Sequence, residues 1–453
     1  MRAATGRWSS WVAFNLAAVG AAVGLGSIWR FPYLAGTNGG STFLLVFILA
    51  CVAIATPLLV AEFIIGRRSR CSPPEAAGHV AAAFGYSRSW NWIGVLGTVA
   101  CVLIMSNYTV IAGWVLAYTW KCASGQIMGL SRPAIAEHFA GFLASPWQVG
   151  FWHVVFLFIV GAISARGLNR GIEIANKIRA PGLLILLSVL VAYALIQGDA
   201  VRGLAFAFQP DLSKLSADLL LAATGQAFYA TGVGMAIMLA YGAYVPGEVS
   251  LVRSALLISA SIVIVSVLAT AMVFPLVFQY DLNPAQGPDL VFNVLPTAFV
   301  EMPAGRAIGT LFFLLLVLAA LTPTIAGMEP LVAWLQQRRG CSRPIAVLIT
   351  LVVIWALSLG SVLSFNVWKD WHPLAWSPIF ERKTVFDIVD FVSSNILLPI
   401  GALLICALVA WRLPASLAHE ELSVDARVLQ RWCRILLRYI CPLAIGAVLI
   451  AAL

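Results

Sequence analysis

Charged residues are scarce in this sequence, where they make up 10% of the 453 residues. A typical soluble domain has about 25%. Hydrophobic residues make up 61% of the chain, and its mean hydropathy is +0.94. A soluble globule of this size cannot bury so much apolar surface, because a large part of any folded surface faces water. The composition therefore excludes a soluble enzyme, a disordered chain and a nucleic-acid-binding protein.

Metal-binding and redox motifs are also missing. The five histidines are dispersed along the chain, and the eight cysteines contain no CxxC pair. This spacing supports neither a metal site nor a disulfide framework. We therefore expect the cysteines to be packing residues, and no pattern in the chain indicates an enzyme.

Long apolar runs dominate what is present. A membrane-spanning segment needs about 20 mostly apolar residues, and it must be helical to satisfy its own backbone in lipid. Eleven spans are predicted, at residues 10–35, 41–66, 91–120, 148–166, 180–197, 219–242, 252–279, 305–336, 343–363, 387–411 and 433–453. A short outer helix is expected near residues 288–300.

The distribution of basic residues predicts the orientation. With the N-terminus inside, most of the 28 Lys and Arg residues fall on inner loops. Cytoplasmic loops carry such an excess. We therefore expect a multi-pass protein of the cell's inner (plasma) membrane with a cytoplasmic N-terminus. The net charge of +9 reflects this loop bias and does not indicate nucleic acid.

Two glycine clusters lie in matching hydrophobic segments. Span one contains GAAVGLG at residues 20–26, and span six contains GQAFYATGVG at residues 225–234. A glycine inside a helix costs about 1 kcal/mol relative to alanine. Paired clusters of this kind are typical of inverted-repeat transporters, in which two broken helices expose backbone groups at the membrane midplane. Close helix packing through small residues is the alternative.

Four ionisable residues lie within or at the ends of predicted spans: Arg30, Glu62, Glu329 and Asp390. Such groups are costly in a membrane unless they are paired, and they often mark a transport pathway. Arg30 and Asp390 both lie toward the outer face. We expect them to pair as an outer gate, and a purely structural ion pair is the alternative.

Specific motifs continue from the first glycine cluster. The string from Ala22 to Gly26 is followed by Trp29-Arg30-Phe31-Pro32 and Asn38-Gly39-Gly40. Further motif residues follow in order along the chain: Pro57, Glu62, Gly66-Arg67, Tyr108, Trp114, Gly225-Gln226, Phe228-Tyr229, Leu321-Thr322, Met328, Pro330 and Asp390-Phe391. In these residues the chain resembles the neurotransmitter:sodium symporter family over nearly its whole length.

The resemblance implies an all-α membrane protein with the LeuT fold. Residues 1–453 would then form a single transporter domain of about 11 transmembrane helices that works by alternating access. Two five-helix inverted repeats would cover about residues 8–200 and 215–412, and one extra helix would cover about residues 430–453.

The resemblance also assigns a substrate site. The N–H groups of Leu25 and Gly26 and the hydroxyl of Tyr108 would hold a substrate carboxylate, which suits N–H groups at the start of a half-helix. The carbonyls of Ala22 and Tyr229 would face the amine. The side-chain pocket would be lined by Ile104, Tyr229, Gly232, Met235, Pro323 and Gly327. Gly24 stands where monoamine carriers place an aspartate, which argues against a monoamine substrate.

The sodium sites depart from the family pattern. At the first site, Ser27, Ala230 and Ile262 stand where side-chain oxygens are usual, unless Thr231 takes the place of Ala230. Sodium, like other hard cations, prefers about six oxygens. The second site would use the carbonyls of Gly20, Val23 and Ala319 and the hydroxyl of Thr322, while Pro323 lacks the second hydroxyl. Sodium is therefore a possible but doubtful ligand.

Two other positions bear on coupling. Glu329 stands where a neutral glutamine is common. It is either a fixed counter-charge or proton carrier, or a hydrogen-bonded structural acid. Gly171 and Pro181 flank a segment whose spacing, by the resemblance, permits local unwinding that lets water reach the second ion site. At the inner gate, Gln337 replaces the usual acid, so Arg2 or Arg7 needs another partner.

We therefore expect a secondary transporter of a hydrophobic or aromatic solute with weak or absent sodium dependence. Loss of the first sodium would remove the cation beside a substrate carboxylate. Gly232 and Gly327 would enlarge the pocket, and Met235 adapts to aromatic guests. The solute is an aromatic amino acid such as tryptophan or a carboxylate-free relative such as indole. The alternatives are a conventional sodium-coupled hydrophobic amino-acid symporter and a non-transporting solute sensor.

Overall fold

A computed structural model describes residues 8–284, 290–421 and 427–453, and these residues contain helices but no strand. Within them, nine continuous helices are long and apolar enough to cross a membrane: Ser41–Ser69, Arg88–Ala123, Pro146–Ser164, Leu168–Gln197, Leu251–Gln279, Gly305–Arg339, Arg343–Leu363, Val385–Arg412 and Arg431–Ala452. Large apolar side chains such as Phe158, Ile196 and Ile450 are exposed on their outer faces, as a lipid-facing surface requires.

Span one is broken at its glycine cluster. Its first half is Trp11–Ala22 and its second half is Gly26–Thr37, and the two are bent by 49°. The Ser10 side chain caps the first half by accepting a hydrogen bond from the Ala13 N–H. Val23 is extended, with φ −85° and ψ 96°, so the carbonyls of the preceding helical turn lack most of their helical partners.

Span six is also broken, between Ala217–Thr231 and Ile237–Ala243. Gly232 and Gly234 have positive φ angles of 65° and 84°, a conformation that glycine adopts without steric cost. Together with the nine continuous helices and the bent pair, this second pair accounts for all eleven predicted spans. The predicted division into two inverted repeats stays a prediction.

Span five is longer than the sequence indicated. The predicted span begins at residue 180, whereas the helix is Leu168–Gln197 and contains Pro181. In this structure the segment between Gly171 and Pro181 is helical, with one wide turn at Leu168–Glu173. A Cβ atom at Gly171 would lie 2.3 Å from the carbonyl oxygen of Ile163. The glycine thus permits close contact with span four, and local unwinding in another state of the transport cycle stays a prediction.

Shorter helices connect the spans: Pro73–Ala83, Arg132–Ala144, Ala200–Phe208 and Leu290–Glu301. The last one confirms the short helix predicted near residues 288–300, although residues 288 and 289 lie outside the described part. Spans three and eight are among the most enclosed helices. In their most apolar stretches 72% and 78% of the residues are buried, against 17% in the last helix. They therefore form the centre of the bundle.

Candidate functional site

Span three meets the first helix break through Tyr108. The N–H of Leu25 donates a hydrogen bond to the Tyr108 hydroxyl oxygen at 3.2 Å, and both residues are buried. A Cβ atom at Gly24 would lie 2.9 Å from the same oxygen and 2.6 Å from Cγ of Pro323. Because the hydroxyl oxygen already accepts from Leu25, its proton remains available for an anion. The structure therefore gathers four of the predicted substrate residues at one point.

The first half of span six covers this point. A Cβ atom at Gly26 would lie 3.1 Å from the ring of Tyr229. The side-chain amide of Gln226 donates to the Gly26 carbonyl at 2.7 Å and ties the two spans together. Sδ of Met235 would lie 3.6 Å from a Cβ atom at Gly232. The ring of Tyr229 therefore packs against Gly26 at the first break. The family resemblance implies a lid role for Tyr108 and Tyr229 above the substrate, and that role stays a prediction.

Gly327 does not enlarge the pocket. A Cβ atom at this glycine would lie 2.6 Å from Sδ of Met105, so the side chain of Met105 already fills the space. The Gly327 carbonyl also accepts a hydrogen bond from the Cys101 thiol at 3.2 Å. The expectation of extra room at Gly327 is wrong, because the long side chain of Met105 from span three fills the space beside this glycine of span eight.

The predicted outer gate is close but not in direct contact. Within the described residues, Arg30 and Asp390 form no ion pair, although the Asp390 charge acts on Arg30 electrostatically. The guanidinium of Arg30 instead lies 4.1 Å from the centre of the Tyr229 ring, a cation–π contact. Asp390 is exposed and accepts a 3.4 Å hydrogen bond from the Ser394 hydroxyl.

The first predicted sodium site offers few oxygens. The Ser27 hydroxyl is fully buried and has no hydrogen-bond partner among the described residues. Ala230 and Ile262, the other two residues predicted at this site, are also buried, and neither carries a side-chain oxygen. The Thr231 hydroxyl donates to the Ala227 carbonyl of its own helix at 2.7 Å. These side chains fall short of what sodium prefers, and the altered site stays a prediction.

The groups predicted for the second sodium site lie together. Gly20, Val23 and Thr322 line one cavity of about 330 Å³. A Cβ atom at Gly20 would lie 2.7 Å from Cγ2 of Thr322. The carbonyl oxygen of Ala319 lies 3.6 Å from the Cβ position of Gly24. This carbonyl-rich donor set suits a hard cation better than that of the first site.

Sequence reasoning missed the polar residues of span five that line the same cavity, which are Asn176 and Arg179. Both are buried in the helix Leu168–Gln197. The predicted span begins at residue 180, which leaves Arg179 on an inner loop. An arginine directly before a long apolar run was the available signal.

Glu329 is held in a structural ion pair. Its carboxylate accepts two hydrogen bonds from the Arg343 guanidinium, at 2.7 and 3.1 Å, and a third from the Tyr244 hydroxyl at 3.0 Å. Both partners of the ion pair are largely buried. This arrangement favours the structural acid over the proton carrier, because the carboxylate already has a fixed positive partner.

The second break is held by Glu62. Its Oε1 atom accepts a hydrogen bond from the N–H of Gly234 at 2.7 Å, and the side chain is fully buried. Gly234 lies between the two halves of span six. A residue expected to be structural therefore positions the backbone of the broken helix.

The end of the bundle that holds the N-terminal segment is closed by hydrogen bonds. The Trp8 indole N–H donates to the Tyr241 carbonyl at 3.2 Å. The Ser9 backbone N–H and hydroxyl donate to the Glu173 carboxylate at 2.9 and 2.7 Å. Gln337, at the predicted inner gate, accepts from the Ser72 N–H at 2.6 Å. Arg2 and Arg7 lie outside the described residues.

Comparison with known proteins identifies the family. The model of the sodium:neurotransmitter symporter family matches residues 5–128 and 143–372. The chain belongs to this family. Its members are transporters rather than enzymes, so this symporter is a multi-pass membrane transporter, as its helices indicated.

Individual relatives agree over almost the whole chain. The uncharacterized sodium-dependent transporter YhdH of Bacillus subtilis is 36% identical over 447 residues, which cover 97% of this chain and 96% of that protein. An uncharacterized sodium-dependent transporter of Haemophilus influenzae is 34% identical and covers 92% of this chain and 91% of its own length.

A solved structure confirms the predicted fold. The crystal structure of MhsT in complex with L-phenylalanine has a TM-score of 0.89 and 36% sequence identity to this chain. The match covers 99% of this chain and 100% of that one. The prediction of an all-α membrane protein with the LeuT fold is therefore confirmed.

Proposed function

We propose that this symporter imports a large hydrophobic or aromatic L-amino acid together with sodium. The similar MhsT was solved with L-phenylalanine, and two of the relatives are named sodium-dependent transporters. These names favour the sodium-coupled alternative over the expectation of weak or absent sodium dependence, which receives no support from the comparisons. The indole hypothesis receives none either.

The contact between Leu25 and Tyr108 carries the proposal. A freed backbone N–H and a tyrosine hydroxyl meet 3.2 Å apart at the first break, without any acidic side chain at Gly24. Hydrogen-bond donors at the start of a half-helix favour an anionic group. An amino acid supplies such a carboxylate, whereas indole does not.

The neighbouring surface suits an apolar side chain. Ile104 lies one helical turn before Tyr108 and is buried, as is Met235 of span six. Methionine accommodates aromatic rings through its flexible thioether. The ring of Tyr229 lies over the break and is large enough to cover a bound side chain. These residues support a phenylalanine-sized or tryptophan-sized substrate.

Uptake into proteoliposomes tests the function. We expect an inward sodium gradient to drive accumulation of radiolabelled phenylalanine or tryptophan, and choline in place of sodium to abolish it. Unlabelled tryptophan is expected to compete at concentrations at which indole does not. Equal competition by indole would contradict the carboxylate argument. Tight binding without accumulation would instead support the non-transporting sensor.

We propose that the N-terminus is cytoplasmic, and the chain offers a natural probe of this. Among the described cysteines, Cys341 alone is not buried, and it lies between spans eight and nine. With a cytoplasmic N-terminus this loop is also cytoplasmic. A membrane-impermeant thiol reagent should then label Cys341 in inside-out vesicles but not in right-side-out vesicles, and a Cys341→Ser variant should remain unlabelled in both.

A further inference from the structure

One buried positive charge has no role in the proposed site. Arg179 of span five is only 9% exposed and lines the cavity of about 330 Å³ described above. Its Nε and Nη1 atoms have no hydrogen-bond partner, and Arg179 forms no ion pair in the described part of the chain. Apolar residues such as Leu183, Leu257 and Ile264 line most of the cavity. A lone guanidinium is strongly unfavourable there unless other negative groups face it.

The negative groups are the backbone carbonyls of span one. Its first half ends at Ala22, and the last turn of a helix carries unpaired carbonyl oxygens and a partial negative charge. Gly20 and Val23 of this turn line the cavity together with Arg179. The Asn176 amide oxygen, one turn before Arg179, lies 3.3 Å from the Cβ position of Gly20. The helix end and Arg179 therefore line the same partly open cavity.

We propose that Arg179 is a tethered cation beside the second sodium site, and that it makes sodium bind there weakly. The guanidinium and a sodium ion would both be attracted by the carbonyl end of span one, and each would repel the other. Because both cations would lie in one partly buried cavity, this repulsion is expected to weaken sodium binding about tenfold or more. The role in transport rests on the proposed sodium coupling.

Direct sodium binding tests the proposal without any amino acid. Radioactive sodium is titrated against purified wild-type protein and the Arg179→Met, Arg179→Gln and Arg179→Lys variants. We expect both neutral variants to lower the sodium concentration for half-maximal binding about tenfold or more, and Arg179→Lys to stay near the wild type. The matched control is Lys177→Met, which removes an exposed charge two residues away on the same helix and should change nothing.

The outcomes separate this inference from the proposed function. Unchanged sodium affinity in the folded neutral variants, or an equal gain in Lys177→Met, would overturn the role of Arg179. If Arg179→Met fails to fold, as a cooperative melting transition reports, Arg179→Gln and Arg179→Lys still decide the question. Absent amino-acid uptake by the wild type, combined with tighter sodium binding by the neutral variants, would refute the proposed function and support this inference.

Discussion

The two helix breaks arise from similar glycine clusters, but different groups hold them. At the break in span one, the Leu25 N–H donates to the neutral hydroxyl of Tyr108 at 3.2 Å. At the break in span six, the Gly234 N–H donates to the carboxylate of Glu62 at 2.7 Å. The second break thus already has an acidic side chain of the protein as its acceptor, whereas the first has none. A donor for a solute carboxylate therefore remains at the first break, where the Tyr108 hydroxyl proton is free.

The glycines also serve different purposes at the two breaks. A side chain at Gly24 would collide with Pro323 and Tyr108, and one at Gly26 would be tight against Tyr229, so both glycines permit close packing against the backbone. Gly232 and Gly234 have positive φ angles, so they permit a change of chain direction. Similar glycine clusters thus have different roles. At the first break they allow neighbouring side chains to approach the backbone, and at the second they allow positive φ angles.

The largest expected effect on stability is at Glu62, which accepts the hydrogen bond from the Gly234 N–H at the second break. Glu62→Ala leaves the buried N–H of Gly234 without a partner, and we expect a loss of about 1.5–3 kcal/mol of stability, the usual range for a hydrogen bond to a charged group. Chemical unfolding in detergent measures the change. Glu137→Ala is the control, because Glu137 is exposed on the connecting helix Arg132–Ala144. Equal stability of the two variants would contradict the capping role.

Packing at the first break predicts the next effect. A Cβ atom in Gly24→Ala would lie 2.6 Å from Pro323 and 2.9 Å from the Tyr108 oxygen. Overpacking of this kind costs about 1–3 kcal/mol, and we expect substrate binding to fall with it. Gly225→Ala is the matched control, because Gly225 lies inside the helix Ala217–Thr231 with nothing within 4 Å of its Cβ position.

Gly225→Ala should leave binding unchanged and raise the melting temperature slightly, because alanine favours a helix over glycine by about 1 kcal/mol. A loss of binding in Gly225→Ala as large as that in Gly24→Ala would mean that glycine content alone, rather than contact with Pro323 and Tyr108, determines the site.

Apolar run lengths and glycine positions were enough to predict the spans and both breaks, because these features depend on the local chain. The start of span five was not predictable in this way. Lys177 and Arg179 look like loop residues in the sequence, yet Arg179 is buried in a helix and lines a cavity. Burial of a charge depends on neighbouring helices, which the local sequence does not show.

The same limit applies to side-chain partners within the site. Met105 fills the space at Gly327 from another helix, and the sequence around either residue does not predict that contact. The pairing of Glu329 with Arg343 likewise joins two successive spans. The motif positions at Leu25 and Tyr108 were predictable because the family resemblance specifies which distant residues meet. Side-chain partners that differ from the family pattern could not be predicted, because the resemblance says nothing about them.

A smaller and more selective effect on substrate affinity is expected at Tyr108, whose hydroxyl accepts from the Leu25 N–H at the first break. Tyr108→Phe removes the hydroxyl that accepts from Leu25 and remains free to donate to a carboxylate. We expect amino-acid affinity to fall about tenfold, which corresponds to about 1.4 kcal/mol. Isothermal titration with tryptophan and with a carboxylate-free analogue measures the difference. Equal losses for both ligands would place the carboxylate elsewhere.

The smallest effect is expected at Asp390, near the contact that joins the two breaks. Arg30 follows the first break and lies 4.1 Å over Tyr229, which precedes the second, without a direct ion pair to Asp390. An exposed charge without a direct ion pair contributes at most about 0–1 kcal/mol. Asp390→Asn should therefore change substrate affinity less than about threefold, as equilibrium binding measures. A much slower uptake with unchanged affinity would instead indicate that Asp390 pairs with Arg30 in another state of the transport cycle. The outer gate predicted from the sequence would then form only in that state.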